Sequence, residues 1–328
     1  MHGFWKQLAR PCFVLAPMVG VTDAAFRRII ARYGKPDVMW TEFISADGLC
    51  SRGRDALLHD LWFDDSERPI LAQLYGGNPE KMREAARFCI ELGYDGIDIN
   101  MGCPDKTVEK HGAGSILIKR PQLAAELIEA AREGAGEHPV SVKTRIGYHD
   151  NQIEEWLATL IEAGPAAVTI HARTRDEMSK VPARWDVIER SAQLARELVP
   201  DDDRRPLILG NGDIRNLHDA REVSEETGCD GVMIGRGIFG NPWLFNREVE
   251  RDDLPFEQII EVMLEHTALY CELFGEIKPF EPMKKHYKAY VTGFRGAAEL
   301  RDRLMQASDL ADVQLLAKEA LELESASR

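Results

Sequence analysis

In the segment DGIDINMGCPDKTVEKHGAG (residues 95–114) a cysteine stands between a glycine and a proline, directly after an apolar run that reads as a buried strand. A thiol on such a loop can act as an acid. Its ordinary pKa is about 8.5, so it is mostly protonated at pH 7. The simpler account of a free cysteine is a small hydrophobe in a core. That account suffices for Cys12, Cys50, Cys89, Cys229 and Cys271, whereas Cys103 has the address of a loop residue. Other chemistry-bearing residues close similar runs: Lys143 and Arg145 in VSVKTRI, His171 and Arg173 in AVTIHAR, Asn211–Gly212–Asp213 after LIL, and Gly235–Arg236 after VMI. Pro17–Met18, Glu42, Gln73 and Asn100 end four earlier runs.

The runs that must position these residues are CFVLAPM (12–18), DVMWTEF (37–43), ILAQLYG (70–76), GIDINMG (96–102), VSVKTRI (140–146), AVTIHAR (167–173), LILGNG (207–212) and GVMIGRG (231–237). Longer amphipathic stretches separate them. One is NPEKMREAARFCIELG, in which Asn78 is placed as an N-cap and Pro79 at the first helical position. Strands alternating with helices imply βαβ units and a parallel sheet, and eight such units match the usual size of a (β/α)₈ barrel. After Pro242 the pattern turns wholly helical, in FEQIIEVMLEHTALYCELFG and RLMQASDLADVQLLAKEALELE. The expected architecture is therefore α/β: a TIM barrel over residues 1–247 and a small all-α domain over 248–328. In such a barrel the carboxyl ends of the strands form the active site. Each unpaired polar group buried there costs roughly 1–3 kcal/mol, so polar residues at nearly every strand end point to a ligand site.

The turns GNGD and IGRG, after the seventh and eighth runs, let backbone N–H groups approach an anion closely, and Arg236 can add a charge-assisted contact. Barrels frequently bind phosphate at these two loops. A phosphate there, with Lys143 and His171 facing inward, suits flavin mononucleotide (FMN). Lys143 would set a cation by the N1/O2 edge of the ring, Gln73 would bond its pyrimidine edge, and the Pro17–Met18 backbone would support it.

Composition narrows the function classes. The 328 residues are 44% hydrophobic, enough for a sizeable core. The six cysteines form no CxxC and no zinc-type spacing, which argues for reduced thiols and no metal. No segment approaches the ~20 apolar residues of a membrane span, and the first 20 residues have too short an apolar run for a signal peptide. A cytoplasmic protein is expected. The net charge of −14 speaks against nucleic acid. Yet residues 278–303 carry seven cations (Lys278, Lys284, Lys285, Lys288, Arg295, Arg301, Arg303) against three acids. From charge alone, that segment reads as a solvated helix face.

With these motifs assembled, the chain resembles the tRNA-dihydrouridine synthases, and within them the general bacterial branch. The resemblance is carried by LAPMVGVTDAAFR, DINMGCP with GAGS, VKTRIG, TIHART, GNGDI and VMIGRG, in that order, and by MKKHYKAYVTGF in the helical domain. It spans about residues 11 to 320. What it implies is an FMN enzyme that reduces the C5–C6 double bond of a uridine in tRNA, with NADPH (or NADH) supplying electrons. No GxGxxG fingerprint follows a strand, which suits a transient visit by the nicotinamide. Carried over by position, the FMN ligands are Pro17, Met18, Val19, Gln73, Lys143, His171, Asn211, Gly212, Asp213, Gly235 and Arg236. Cys103 matches the proton donor to C5, opposite hydride delivery to C6. Asn100, Arg145 and Arg173 lie near the uracil. Lys284 and Lys285 belong to a tRNA-gripping surface, which recasts the basic segment. The target uridine has to leave the tRNA stack to enter a barrel mouth. The partner so implied is tRNA; the sequence makes no protein partner evident and has no membrane segment, and a monomer is expected. One departure stands out: the family often has lysine four residues after the cysteine, where this chain has Thr107, with Lys106 beside it. A free-pyrimidine flavoprotein similar to the dihydroorotate dehydrogenases is the alternative; it would need no basic helical domain.

Overall fold

The computed structural model describes residues 2–294 and 296–327. The chain forms two compact units, Met1–Met18 with Pro36–Arg236, and Val19–Lys35 with Gly237–Arg328. Its strands are β1 (Cys12–Leu15), β2 (Met39–Trp40), β3 (Ile44–Ser45), β4 (Ile70–Tyr75), β5 (Gly96–Asn100), β6 (Val140–Arg145), β7 (Ala167–His171), β8 (Leu207–Asn211) and β9 (Gly231–Ile234). All belong to the first unit. They are neighbours in the order β1-β9-β8-β7-β6-β5-β4-β2, with every pairing parallel. Between the two ends of that order, Asp37 N donates to Phe13 O (2.9 Å) and Leu15 N to Val38 O (3.3 Å), which closes the sheet into the expected (β/α)₈ barrel.

The strands are nearly continuous apolar runs because both faces are covered, the inner by the barrel core and the outer by helices. After α1 (Ala24–Tyr33), which belongs to the second unit, the helices in chain order are α2 (Ala46–Leu49), α3 (Pro79–Glu91), α4 (Lys106–Lys110), α5 (Pro121–Ala135), α6 (Ile153–Glu162), α7 (Trp185–Leu198) and α8 (Leu217–Thr227). Helix α3 starts as its sequence demands, with the Asn78 side chain accepting from Lys81 N at 3.2 Å and Pro79 in the first turn. It buries Met82, Ala85, Ala86 and Cys89, one face at 3.6-residue spacing. The amino end of the barrel is filled by Trp5, fully buried, with its ring 6.0 Å from that of Trp40.

Of the expected second strand, 37–43, only Met39–Trp40 (β2) forms strand, and pairing resumes beyond it at β3; the two pair separately with β4 at Ile70–Leu71 and Leu74–Tyr75. The cause is Thr41: its hydroxyl, rather than a backbone carbonyl, receives the Gln73 N–H at 3.0 Å. That side-chain substitution interrupts the ladder.

The second unit holds α1, α9 (Phe256–Phe274), α10 (Glu281–Tyr290), α11 (Ala297–Leu304) and α12 (Leu310–Ser327). Against an expected boundary after residue 247, the division falls at 236/237 and also takes in residues 19–35. The Phe26 ring of α1 stacks on His266 of α9 at 4.9 Å and meets His286 of α10 at 4.5 Å, so its apolar face completes the helical core. Helix α10 buries Met283, His286, Tyr287 and Tyr290 and turns Lys285 and Lys288 to solvent, with Lys284 half-buried. Of the other predicted cations, Arg301 donates to Val291 O at 2.7 Å, Arg303 pairs with Glu319 at 2.6 Å, and Lys278 lies over the Phe274 ring. Arg295 lies outside the described residues.

Candidate active site

At the carboxyl ends of β6 to β9 and β1 the barrel opens into a cleft of about 170 Å³, lined by Pro17, Met18, Lys143, His171, Arg173, Asn211, Gly212, Asp213, Gly235 and Arg236 among others. Register puts them there: Arg145 lies opposite His171, and His171 opposite Asn211. Lys143 Nζ donates to Asn211 Oδ1 at 3.3 Å, and Asn211 Nδ2 donates to Met233 O at 2.8 Å. The chain then turns through Gly212 (φ 137°) and Asp213 (φ 57°). The left-handed Asp213 is a costly conformation for a residue with a Cβ. Its carboxylate is held by three donors: Arg173, Arg236 Nη2 at 3.0 Å and Ala183 N at 2.9 Å. A side chain at Gly212 would meet Ala183 Cβ at 2.8 Å, so only glycine fits the turn.

The electrostatics of the cleft are set by burial among cations. Lys143 is pulled down to about 8, by burial and by the Arg145 charge, with Asp98 opposing. It remains mostly charged at pH 7. Burial, together with Lys143, Arg145, Arg173 and Arg236, drives His171 down to about 2. The imidazole is therefore neutral. Because Arg173 Nη1, 3.1 Å away, can only donate, His171 Nε2 accepts and the ring proton sits on Nδ1. The Arg173 hydrogen bond holds Asp213 below the usual carboxylate range. Three cations face one carboxylate, a net charge of +2, beside glycine-rich backbone. That donor set suits the dianion of a phosphomonoester.

Cys103 lies on the next loop, half-buried. Asn100 Oδ1 accepts from the backbone N–H groups of Gly102 (3.1 Å) and Cys103 (2.9 Å). The Cys103 carbonyl accepts from Ser115 N and Ser115 Oγ, both at 3.0 Å. Gly114, at φ 68°, leaves room for this; a Cβ there would lie 2.6 Å from the Cys103 carbonyl oxygen. Arg145 donates to the carbonyls of Gly102 (2.8 Å), Thr174 (3.0 Å) and Met178 (3.2 Å), bracing the loop against the one after β7. Arg175 ties Pro104 O to Glu109. Burial pushes the Cys103 thiol up, while the nearby Arg145 and Lys143 charges pull the other way. The thiol is thus an acid at neutral pH rather than a thiolate nucleophile.

Ten of the predicted site residues meet in the cleft, Arg173 among them, where it serves Asp213 and His171. Gln73 is not a lining residue: it is fully buried, with Nε2 donating to Asp98 Oδ2 at 2.6 Å and Oε1 accepting from Asn100 Nδ2 at 3.1 Å. Val19 is 54% exposed and belongs to the second unit. Lys284 and Lys285 are on α10 of that unit, and Lys106 and Thr107 are both exposed at the start of α4. Asp98 was missed. Its signal was available, an acid at the centre of the apolar strand GIDIN, on the same strand face as Asn100.

Comparison with known proteins bears on this geometry. The family model described as dihydrouridine synthase (Dus) matches residues 14–326. A Bacillus subtilis protein named probable tRNA-dihydrouridine synthase 2 is 42% identical over 318 residues, spanning 96% of this chain and 95% of that protein. A Staphylococcus aureus protein named probable tRNA-dihydrouridine synthase is 42% identical over 325 residues, spanning 97% and 95%. Among solved structures, the old yellow enzyme homologue of Zymomonas mobilis superposes with a TM-score of 0.51 at 13% identity, covering 74% of this chain and 89% of that one, a likeness of fold. No helix among the described residues is long and apolar enough to cross a membrane.

Proposed function

The chain belongs to the dihydrouridine synthase family, and from that premise we propose that it reduces the C5–C6 double bond of uridines in tRNA, with FMN as cofactor and NADPH or NADH as electron source. The observation that carries this reading is the pairing of a +2 phosphate-suited cleft with a protonated thiol one loop away. Lys143, His171, Asn211, Gly212, Gly235 and Arg236 would hold FMN, with Pro17 and Met18 against it; Asp213 keeps Arg173 and Arg236 in place. Bound there and reduced, FMN supplies the hydride that C6 of the uracil receives.

The chain's own residues do the rest. Cys103 Sγ gives its proton to C5, forming the C–H bond as the S–H bond breaks, and the thiolate regains a proton from solvent. The Arg145 and Lys143 charges, which favour the ionised sulfur, would stabilise negative charge on it during that transfer. Asn100 and Arg145 hold the loop, and the neutral His171 offers its Nδ1–H. Lys284 and Lys285 of α10 meet tRNA phosphates. The test is mass mapping of tRNA after incubation with the purified protein, FMN and NADPH: a gain of two hydrogens at uridine is expected, and unchanged tRNA with full flavin loading would overturn the assignment.

Two measurable consequences follow. Arg236→Ala is expected to weaken FMN binding roughly 10- to 100-fold, the worth of about 1.5–3 kcal/mol for a hydrogen bond to a charged group, read by flavin fluorescence titration. Equal affinity would remove Arg236 from the phosphate site. Neutralising Lys284 and Lys285 together is expected to leave flavin affinity unchanged while lowering the slope of log K for tRNA against log salt by about 1.4–1.8, since each phosphate contact contributes about 0.7–0.9. An unchanged slope would take these lysines off the RNA surface.

A further inference from the structure

Three residues side by side on β4, β5 and β6 form a buried polar row inside the barrel: Gln73 is in register with Asp98, and Asp98 with Ser141. All three are at most 1% exposed. Ser141 Oγ donates to Asp98 Oδ1 at 2.5 Å, and Gln73 Nε2 donates to Asp98 Oδ2 at 2.6 Å. The row then steps up one layer. Asn100 Nδ2 donates to Gln73 Oε1, and Asn100 Oδ1 accepts from the N–H groups of Gly102 and Cys103.

Each amide in this chain has two possible orientations, and hydrogen bonding chooses between them. An ionised carboxylate only accepts, so Asp98 draws the NH₂ end of Gln73 toward itself. Gln73 then presents its oxygen to Asn100, which turns its own NH₂ to Gln73 and its oxygen to the Cys103 backbone. Reversing one amide would set donor against donor at the next link. The final mismatch would fall on the Cys103 N–H, 2.9 Å from Asn100 Oδ1.

We infer that Asp98 is a positioning residue for the reaction, its acceptor oxygens fixing the orientation of Gln73 and Asn100 and thereby the placement of the Cys103 loop. Asp98 touches neither substrate nor cofactor in this role. The inference rests on the reading of Cys103 as proton donor, so its test separates the two. Burial pushes the Asp98 carboxyl up to about 6, which leaves it mostly ionised at pH 7.

The experiment compares wild type, Asp98→Leu and Asp98→Asn in the flavin-loaded full chain. Amide hydrogen exchange is followed at Gly102–Cys103, and single-turnover reduction of tRNA by the chemically reduced protein is measured across tRNA concentrations. Leucine has no acceptor, so exchange is expected to accelerate at least about tenfold and the saturating rate to fall about 10- to 100-fold, as for a misplaced reacting group. The tRNA concentration at half-saturation should not change. Asparagine keeps one acceptor oxygen for Gln73 while its NH₂ turns to Ser141 Oγ, and it should restore both readouts to within about threefold of wild type. Wild-type behaviour of the leucine variant, or an asparagine variant as impaired as leucine, would overturn the inference. If the leucine variant does not fold, the exchanged pair Gln73→Glu with Asp98→Asn decides. It reverses donor and acceptor at one link yet leaves a carboxylate oxygen for Asn100 Nδ2, so protection of the Cys103 amide should survive. Gln73→Glu alone sets two carboxylates face to face and should lose that protection; equal protection in the two variants would overturn the inference. Exchange that responds while tRNA turnover does not would support the hydrogen-bonded chain and place the failure in the proton-donor reading.

Discussion

Cys103→Ala is expected to lower single-turnover reduction of tRNA by about 10²- to 10⁴-fold, the usual worth of a positioned general acid, while FMN loading and thermal stability stay close to wild type. Flavin loading should be spared because Cys103 is not among the residues lining the phosphate cleft. Stability should be nearly spared because the loop is held chiefly through backbone groups, by Asn100 and Ser115, the thiol adding one hydrogen bond from the Asp105 backbone. The pH dependence has a definite sign. Burial is the largest influence on this thiol and raises its pKa, so the acid form persists past the pH at which an ordinary cysteine ionises. The proton-transfer rate should therefore hold through neutrality and decline only on the alkaline side. An alanine variant that turns over at the wild-type rate would rule out Cys103 as the donor.

The next largest effect is expected at Lys143. Replacing it with methionine should slow reduction of tRNA by about 10²- to 10³-fold, the cost of removing one preorganised charge from a water-poor site. Burial, with the Arg145 charge, lowers Lys143 from 10.5 to about 8, so the wild-type rate should fall as pH rises through about 8 and the cation is lost. The methionine variant should lack that limb. It should also be at least as stable as wild type at pH 7, because a buried lysine displaced by about 2.5 pH units costs the fold on the order of 3 kcal/mol wherever it is charged. That cost is fully present below pH 8 and fades between about 8 and 10.5. A destabilised Lys143→Met variant with a normal rate would assign Lys143 a structural role.

Asp98 follows the same logic with opposite charge. Moving a carboxyl from 3.8 to about 6 costs on the order of 3 kcal/mol at pH 7. The cost is absent below about pH 4, grows as the unfolded chain ionises, and is complete above pH 6. Lys143 and Asp98 attract one another, so the two figures do not add. Both residues are held at a cost in stability, as charges serving a site commonly are.

The sequence by itself determined the barrel and most of its rim. Parallel strands covered on both faces must read as apolar runs, and the residue types at their ends are chemically distinct, so Lys143, His171, Asn211 and Arg236 could be picked out one strand at a time. Helix α3 was equally legible, since an N-cap asparagine and a first-turn proline act locally. Tertiary structure alone decided the rest. The break in the second strand depends on the Thr41 hydroxyl reaching Gln73, 32 residues away. The placing of α1 in the helical unit depends on Phe26 meeting His266 and His286 from α9 and α10, contacts that no local pattern encodes. Gln73 was legible as a polar strand end, but its engagement with Asp98 and Asn100 follows from register across three strands. Such register decides which side chains line the cleft, and Gln73, bonded to Asp98 and Asn100, is not among them.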